Sequence, residues 1–381
     1  MHYDVIIIGA GSMGMAAGYY LSKSGKKVLL LDSHHPPHTE GSHHGETRII
    51  RHAYGEGEHY AALSLRAQEL WDELQKLTDK KMFLQTGVLT VGASESDFIH
   101  NILKSAENHS LPVEKLSSSE INHRWEGFSV PKELMGCYEK NSGVLFTDAS
   151  IEVYRDLAIE NGANLKVSTK VQFVTPEDDI VYVETEKGSY SADSLIVTAG
   201  KGTPKILPSL EMELPLQLVR KTYSWFESEE GLYHSNYFPA FAFELENELF
   251  YGFPSIDGAG VKIGRHDGGQ PLTLDDSLKD FGDYPEDKGD VARFAATYFS
   301  ADLEHKVGKT CTYTNTPDGD FIIDHHPQHQ NVILACGFSG HGFKFSSVVG
   351  EILCQLITEG KTEYDLNRFS MDRFSKANVE K

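Results

Sequence analysis

Residues 41–52 read Gly-Ser-His-His-Gly-Glu-Thr-Arg-Ile-Ile-Arg-His and gather His43, His44, His52, Arg48 and Arg51 in one short stretch. An arginine fork can grip a carboxylate at two points. Arg48 and Arg51 stand three apart, so a helical turn would set them on one face. The alternative is a solvated basic loop. In a chain of formal net charge -21, however, such a cluster suits an anionic substrate that must overcome a repulsive field. A second group is Val261-Lys-Ile-Gly-Arg-His266. On a strand, Lys262, Gly264 and His266 share one face and Val261, Ile263 and Arg265 the other. A lysine held against a cofactor would be costly unless it served the chemistry, whereas on an edge strand it would simply face solvent. Phe250-Tyr251-Gly-Phe-Pro254 alternates aromatics, a pattern commoner in cores than in sites. Cys311 lies in a polar, turn-rich run from Thr310 to Asp324, unlike a buried apolar cysteine. It could be a nucleophile or an attachment point, and composition alone fits an ordinary thiol.

These groups need a scaffold, and the N-terminus supplies one. Val5 to Ile8 form a β-branched apolar run, followed by Gly9-Ala-Gly11-Ser12-Met13-Gly14 and a helix-prone stretch from Met15 to Lys23. Strand, Gly-x-Gly-x-x-Gly and helix in that order bind a dinucleotide pyrophosphate at the helix N-terminus. A second apolar strand, Val28 to Leu31, ends at Asp32, placed to hold a ribose hydroxyl. Further along, helices are expected near 60–77, 98–109, 119–124 and 151–161. Strands are expected at 87–92, 164–174, 181–185 and 194–198, the last closing on Ala199-Gly200. Residues 215–270 carry short alternating strands of antiparallel character. The chain then returns to strand, glycine loop and helix: Val332 to Ala335, Gly337 to Gly342 containing Gly340, and Phe343 to Gly360.

The expected fold class is therefore α/β plus α+β. A Rossmann-like cofactor domain would comprise 1–80, 150–214 and 310–381, with an inserted, mainly antiparallel substrate domain from 81–149 and 215–309. The chain has 381 residues, of which 40% are hydrophobic, enough for a large core. The acidic balance argues against nucleic acid and anionic membranes as partners. No apolar stretch approaches a membrane span. No basic segment leads into a long apolar core at the start, so a cytoplasmic enzyme is expected. Cys137, Cys311, Cys336 and Cys354 are scattered, with no paired spacing for a disulfide framework or a metal.

Taken in order, these segments resemble the monomeric sarcosine oxidase and N-methyl-L-tryptophan oxidase family, from Tyr3 to about Phe374. The most specific pieces are residues 41–55, Tyr251 to Pro254, Cys311-Thr-Tyr313 and Gly337 to Ser346. The resemblance implies FAD bound covalently, with Cys311 at the attachment position and His44 near it. It implies a nucleotide site that includes Gly9, Gly11, Ser12, Met13, Gly14, Asp32, Gly200 and Gly340. Lys262 matches the lysine that promotes reaction with oxygen, and Arg48 an arginine beside the flavin. Arg51 and Lys344 match the pair that holds the substrate carboxylate. Tyr251 and His266 match substrate-side residues, and Tyr313 falls where the pocket should be. Glu46 departs from the family pattern, standing where Asp is expected. Gly11 to Gly18 leans towards the sarcosine branch, while Arg265 and Asp318 to Phe321 lean towards the N-methyltryptophan branch.

The implied activity is oxidative demethylation of a secondary N-methyl amino acid, of the sarcosine or N-methyl-L-tryptophan type, by a monomer. The products would be the amino acid, formaldehyde and hydrogen peroxide, with molecular oxygen as acceptor. The alternative is an FAD-dependent amine dehydrogenase that passes electrons elsewhere. A nicotinamide enzyme fits the N-terminal fingerprint alone, and a flavin sensor without turnover leaves the cations unused.

Overall fold

The computed structural model describes residues 1–375 and is built around two large sheets and a small one. In the first, the N-terminal strand His2–Ile8 lies centrally, parallel to Val28–Leu31 on one side and to Gly188–Val197 on the other. Asn164–Lys166 extends the sheet past Val28–Leu31, and Val332–Cys336 runs parallel to the end of Gly188–Val197. Both faces of these strands are covered. Val5, Ile7, Val28 and Leu30 enter one core, and Ile6, Ile8, Leu29 and Leu31 the other. That double burial is why the strands read as unbroken apolar runs rather than alternating ones.

The helix Ser12–Lys23 follows the first strand directly, and its crossing is tight. A Cβ on Gly14 would sit 1.9 Å from the Gly9 carbonyl oxygen and 2.5 Å from Thr198 Oγ1. Gly9 itself has φ +94°, a backbone state that other residues rarely adopt. The C-terminal helix Ser346–Glu359 packs beside it, with Gly350 close against Ala16.

The second sheet has nine strands and is antiparallel except for one parallel pair, Ala240–Leu245 with Val88–Ala93. Its longest pair is Gln217–Glu227 against Glu304–Asn315, which carries this sheet past residue 310. One face packs an aromatic core that includes Phe226, Phe241, Phe250, Val261 and Ile263. A three-stranded sheet of Thr47–Ile50, Gly143–Phe146 and Phe83–Leu84 lies separately.

Three expectations are corrected. Residues 164–174 form two strands, Asn164–Lys166 and Val171–Glu177, because Ser168 between them takes φ +48° and turns the chain. Arg48 lies on an extended strand, Thr47–Ile50, so a helical turn does not set it beside Arg51. Cys311 sits inside the twelve-residue strand Glu304–Asn315 rather than in a turn, because the Thr-rich run that surrounds it favours a strand. Residues 376–381, the end of the third expected cofactor-domain segment, lie outside the described residues.

Candidate active site

Two cavities meet at a shared wall of Arg48, Tyr313, Gly340 and Phe343. The larger, about 720 Å³, opens over the C-terminal end of the first sheet, where open α/β sheets bind their ligands. Gly9, Gly11, Ser12, Met13, Asp32, Gly200 and Gly340 all line it. Asp32 is fixed at its entrance. One carboxylate oxygen accepts the Ala10 N–H at 2.8 Å and the other the His34 N–H at 2.8 Å. Burial pushes its carboxyl up, but the His38 ring 3.4 Å away and those two backbone donors outweigh it, so Asp32 stays low and charged. Gly14 does not line the cavity; it is the contact that seats the helix. A site of this length, with a glycine cradle and an anchored carboxylate, fits an extended dinucleotide such as FAD.

The smaller cavity, about 80 Å³, is lined by Arg48, Arg51, Glu56, Tyr251, His266, Tyr313, His341 and Lys344 among others. Arg51 emerges just after its strand, and its Nη2 donates to both carboxylate oxygens of Glu56, at 2.7 and 2.6 Å. Burial pushes the Glu56 carboxyl up, yet the facing Arg51 guanidinium, with the His341 ring and Lys344 behind it, brings it down to about 2. Lys344, in the turn Phe343–Phe345, donates to the Tyr54 hydroxyl and the His341 carbonyl, each at 2.8 Å. Burial lowers it to about 7, and Arg51 and Arg48 push the same way against Glu56. Burial likewise holds His266 down at about 3 and His341 at about 4, so both rings are neutral at neutral pH. Gly340 brings this turn close, since a Cβ there would lie 2.1 Å from the Tyr313 ring.

The register of the second sheet collects the remaining chemistry on one face. Lys262 pairs with Trp225 on one neighbouring strand and with Phe253 on the other. Its strand is therefore interior, not an edge, and Lys262 is only 2% exposed. The ammonium lies 4.7 Å from the Tyr223 ring, 5.2 Å from Trp225 and 4.9 Å from Phe253. It donates to the Gly45 carbonyl and to Thr47 Oγ1. Burial lowers its pKa well below the ordinary lysine value, with Arg48 adding repulsion. Gly264 is needed beside it, because a Cβ would meet the Tyr251 ring at 2.6 Å.

On the same face Cys311 pairs with Lys221, and Tyr313 with Val219. Cys311 packs with Tyr223, Trp225 and Tyr313. Burial pushes its thiol up, while Arg48, Lys221 and Lys262 all oppose that rise. Neither Cys311 nor Lys262 lines either cavity. His44 does not either: its ring stands edge-on to Tyr223 at 6.2 Å, and His43 takes the cavity wall instead. Arg48 donates to the carbonyls of Ser42, His44 and Thr47, which ties down the loop that carries these histidines.

Sequence reasoning passed over Glu56, Tyr54, His341 and the Tyr223–Trp225 pair. Glu56 and Tyr54 flank the arginine segment, and His341 lies inside the second glycine loop, so their positions were in view. What was missing was their convergence in space. Among the described residues no group of three or more His, Cys, Asp or Glu is placed to hold a metal ion. No described helix is long and apolar enough to cross a membrane.

The family model for FAD dependent oxidoreductases (DAO) matches residues 4–356. A monomeric sarcosine oxidase from Arthrobacter sp. (strain TE1826) is 52% identical over 374 residues, covering 97% of this chain and 96% of that protein. An N-methyl-L-tryptophan oxidase from Escherichia coli O157:H7 (strain EC4115 / EHEC) is 43% identical over 376 residues, covering 98% and 100%. Among solved structures, the fold is shared with L-proline dehydrogenase from P. horikoshii at TM-score 0.87 and 19% identity, covering 98% of each chain. NikD, an unusual amino acid oxidase, gives 0.85 at 21% identity, covering 97% of each.

Proposed function

This chain belongs to the FAD-dependent oxidoreductase family (DAO), and we propose that within it the protein is an oxidase that demethylates small N-methyl amino acids. The observation that carries this reading is the small cavity: two buried cations, Arg51 and Lys344, share about 80 Å³ with neutral His266 and Tyr251, directly against the dinucleotide cavity. Such a space is far below that of a drug-sized ligand site. It suits sarcosine better than a substrate with an indole side chain, in keeping with 52% against 43% identity to the two branches.

The substrate carboxylate is held by Lys344 and Arg51, and Arg51 reaches it by exchanging Glu56 for the incoming anion. That exchange keeps the buried Arg51 guanidinium paired with a carboxylate throughout. His266 is neutral and so does not repel the substrate amine, while Tyr251 and Tyr313 close the cavity around the N-methyl group. Bound there, FAD would supply the redox chemistry, accepting a hydride equivalent from the N-methyl carbon and returning the electrons to oxygen. Water then converts the oxidised product to formaldehyde and the free amino acid. Lys262, held by Gly45 and Thr47 among three aromatic rings, stabilises in its protonated form the negative charge that develops on oxygen. Arg48 orders the loop between the two cavities. Gly9, Gly11, Ser12, Met13, Gly14, Asp32, Gly200 and Gly340 hold the dinucleotide. Cys311 is the attachment point for FAD; burial raises its thiol, and the four nearby cations Arg48, Lys221, Lys262 and Arg220 act against that rise. His44 lies beside it, against Tyr223. We further propose a cytoplasmic monomer. None of its four cysteines is paired in a disulfide, as in a reducing compartment, and the Arthrobacter relative is by name monomeric.

Peroxide and formaldehyde release from sarcosine and from N-methyl-L-tryptophan tests the reading. Equal amounts of both products from sarcosine, with a higher kcat/KM than for N-methyl-L-tryptophan, are expected. Preference for N-methyl-L-tryptophan would overturn the size argument, and absence of peroxide from both would overturn the oxidase.

A further inference from the structure

Lys344 is held by a chain of hydrogen bonds whose direction is forced at both ends. At one end the His341 Nε2 lies 3.1 Å from the Gly319 carbonyl oxygen, which can only accept. Nε2 therefore carries the proton, and Nδ1 is an acceptor. At the other end Lys344 Nζ lies 2.8 Å from the Tyr54 hydroxyl oxygen, and an ammonium can only donate. The Tyr54 proton must then go to His341 Nδ1, 3.1 Å away. Each link fixes the next. Tyr54 is fully buried, so no water competes for its hydroxyl. A second ammonium proton goes to the His341 carbonyl, and the third remains for the cavity.

We propose that Tyr54 and His341 are positioning residues for carboxylate binding: they keep Lys344 charged and aim its free N–H into the small cavity. A hydroxyl whose own proton points away presents its lone pairs to the ammonium, and in a low-dielectric site that dipole is worth more than in water. This inference rests on the proposed function only for the identity of the carboxylate. The groups that face Lys344 are Tyr54, Glu56, Arg51, Arg48 and His341, with the rings of Tyr54 and Phe345 at 5.0 and 5.3 Å. Glu56 favours the charged ammonium, and the two arginines oppose it. Lys344 already lies near pKa 7, so the loss of one acceptor moves its charge across the neutral range. His341 stays uncharged there, its ring lowered to about 4 by burial, and its acceptor role holds across that range.

The test uses the holoenzyme and acetate, a carboxylate with no amine to oxidise, titrated against the flavin absorbance from mildly acidic to alkaline pH. Tyr54→Phe should weaken acetate binding about tenfold. It should also move the alkaline loss of binding to lower pH. His341→Leu should change binding in the same direction. His341→Asn, whose side-chain oxygen can stand where Nδ1 stands, should restore it. With sarcosine, Tyr54→Phe should raise KM and leave kcat within a few-fold. Unchanged acetate affinity, an unmoved pH midpoint, or His341→Asn matching His341→Leu would overturn the inference. If Tyr54→Phe does not fold, the Asn and Leu variants at 341 decide it alone. A wild-type enzyme that binds acetate yet releases no peroxide from sarcosine would contradict the function and leave this arrangement standing.

Discussion

The pairing of Arg51 with Glu56 places a carboxylate where the proposed function seats the substrate carboxylate. Truncating Arg51 to Gln removes a charge-assisted donor and leaves the partly buried Glu56 without its main partner. It should lower kcat/KM for sarcosine about thirtyfold, chiefly through KM, as steady-state kinetics will read. Lys262→Met should leave anaerobic reduction by substrate nearly unchanged and slow reoxidation by oxygen at least about a hundredfold in stopped flow. Lys344 gives a pH signature with a definite sign. Its pKa in the folded protein is lowered to about 7, so its charge is present below that value and is lost as pH rises through it. Affinity for acetate should therefore fall above about pH 7, and Lys344→Met should flatten that dependence. The residue types at these positions were legible in the sequence. Their pairing was not, because an Arg–Glu contact across a loop leaves no periodic trace. Spacing alone would have put Arg48 and Arg51 on a helix, yet they meet at one cavity from an extended strand and the turn after it.

Strand register does most of the assembly at the next scale. Alternation along Val261–Arg265 was readable, and it puts Lys262 and Gly264 on the face where Tyr251, Phe253, Trp225 and Cys311 also lie. Which strands would be neighbours was not readable, because pairing between Gln217–Glu227 and Glu304–Asn315 spans a long separation in the chain. The N-terminal strand, glycine turn and helix are local, and their order was plain. The tight crossing there makes a specific prediction. Gly14→Ala would force a Cβ onto the Gly9 carbonyl, so the helix must move, at about 1–3 kcal/mol. The purified variant should carry a lower flavin-to-protein ratio than wild type. Arg220 and Asp287 form a fully buried pair at 2.7 Å that ties the second sheet to the helix Glu286–Tyr298. Arg220→Met strands the Asp287 charge and should cost about 3–5 kcal/mol in denaturant unfolding.

At the scale of the whole molecule, an acidic protein buries four cations besides Arg220 among its described residues. Lys221, Lys262, Lys344 and Arg51 are each less than a tenth exposed, within a chain of net charge -21. Burying them costs free energy that the fold recovers through carbonyls, aromatic rings and one carboxylate. A site with that arrangement favours an anionic substrate and a reaction that develops negative charge. The direct measurement mixes the holoenzyme with sarcosine without oxygen, follows the flavin absorbance, and then admits air. The account predicts that the yellow colour bleaches on mixing and returns with oxygen, with formaldehyde and hydrogen peroxide formed in equal amounts. Bleaching that persists in air, or no bleaching at all, would contradict it.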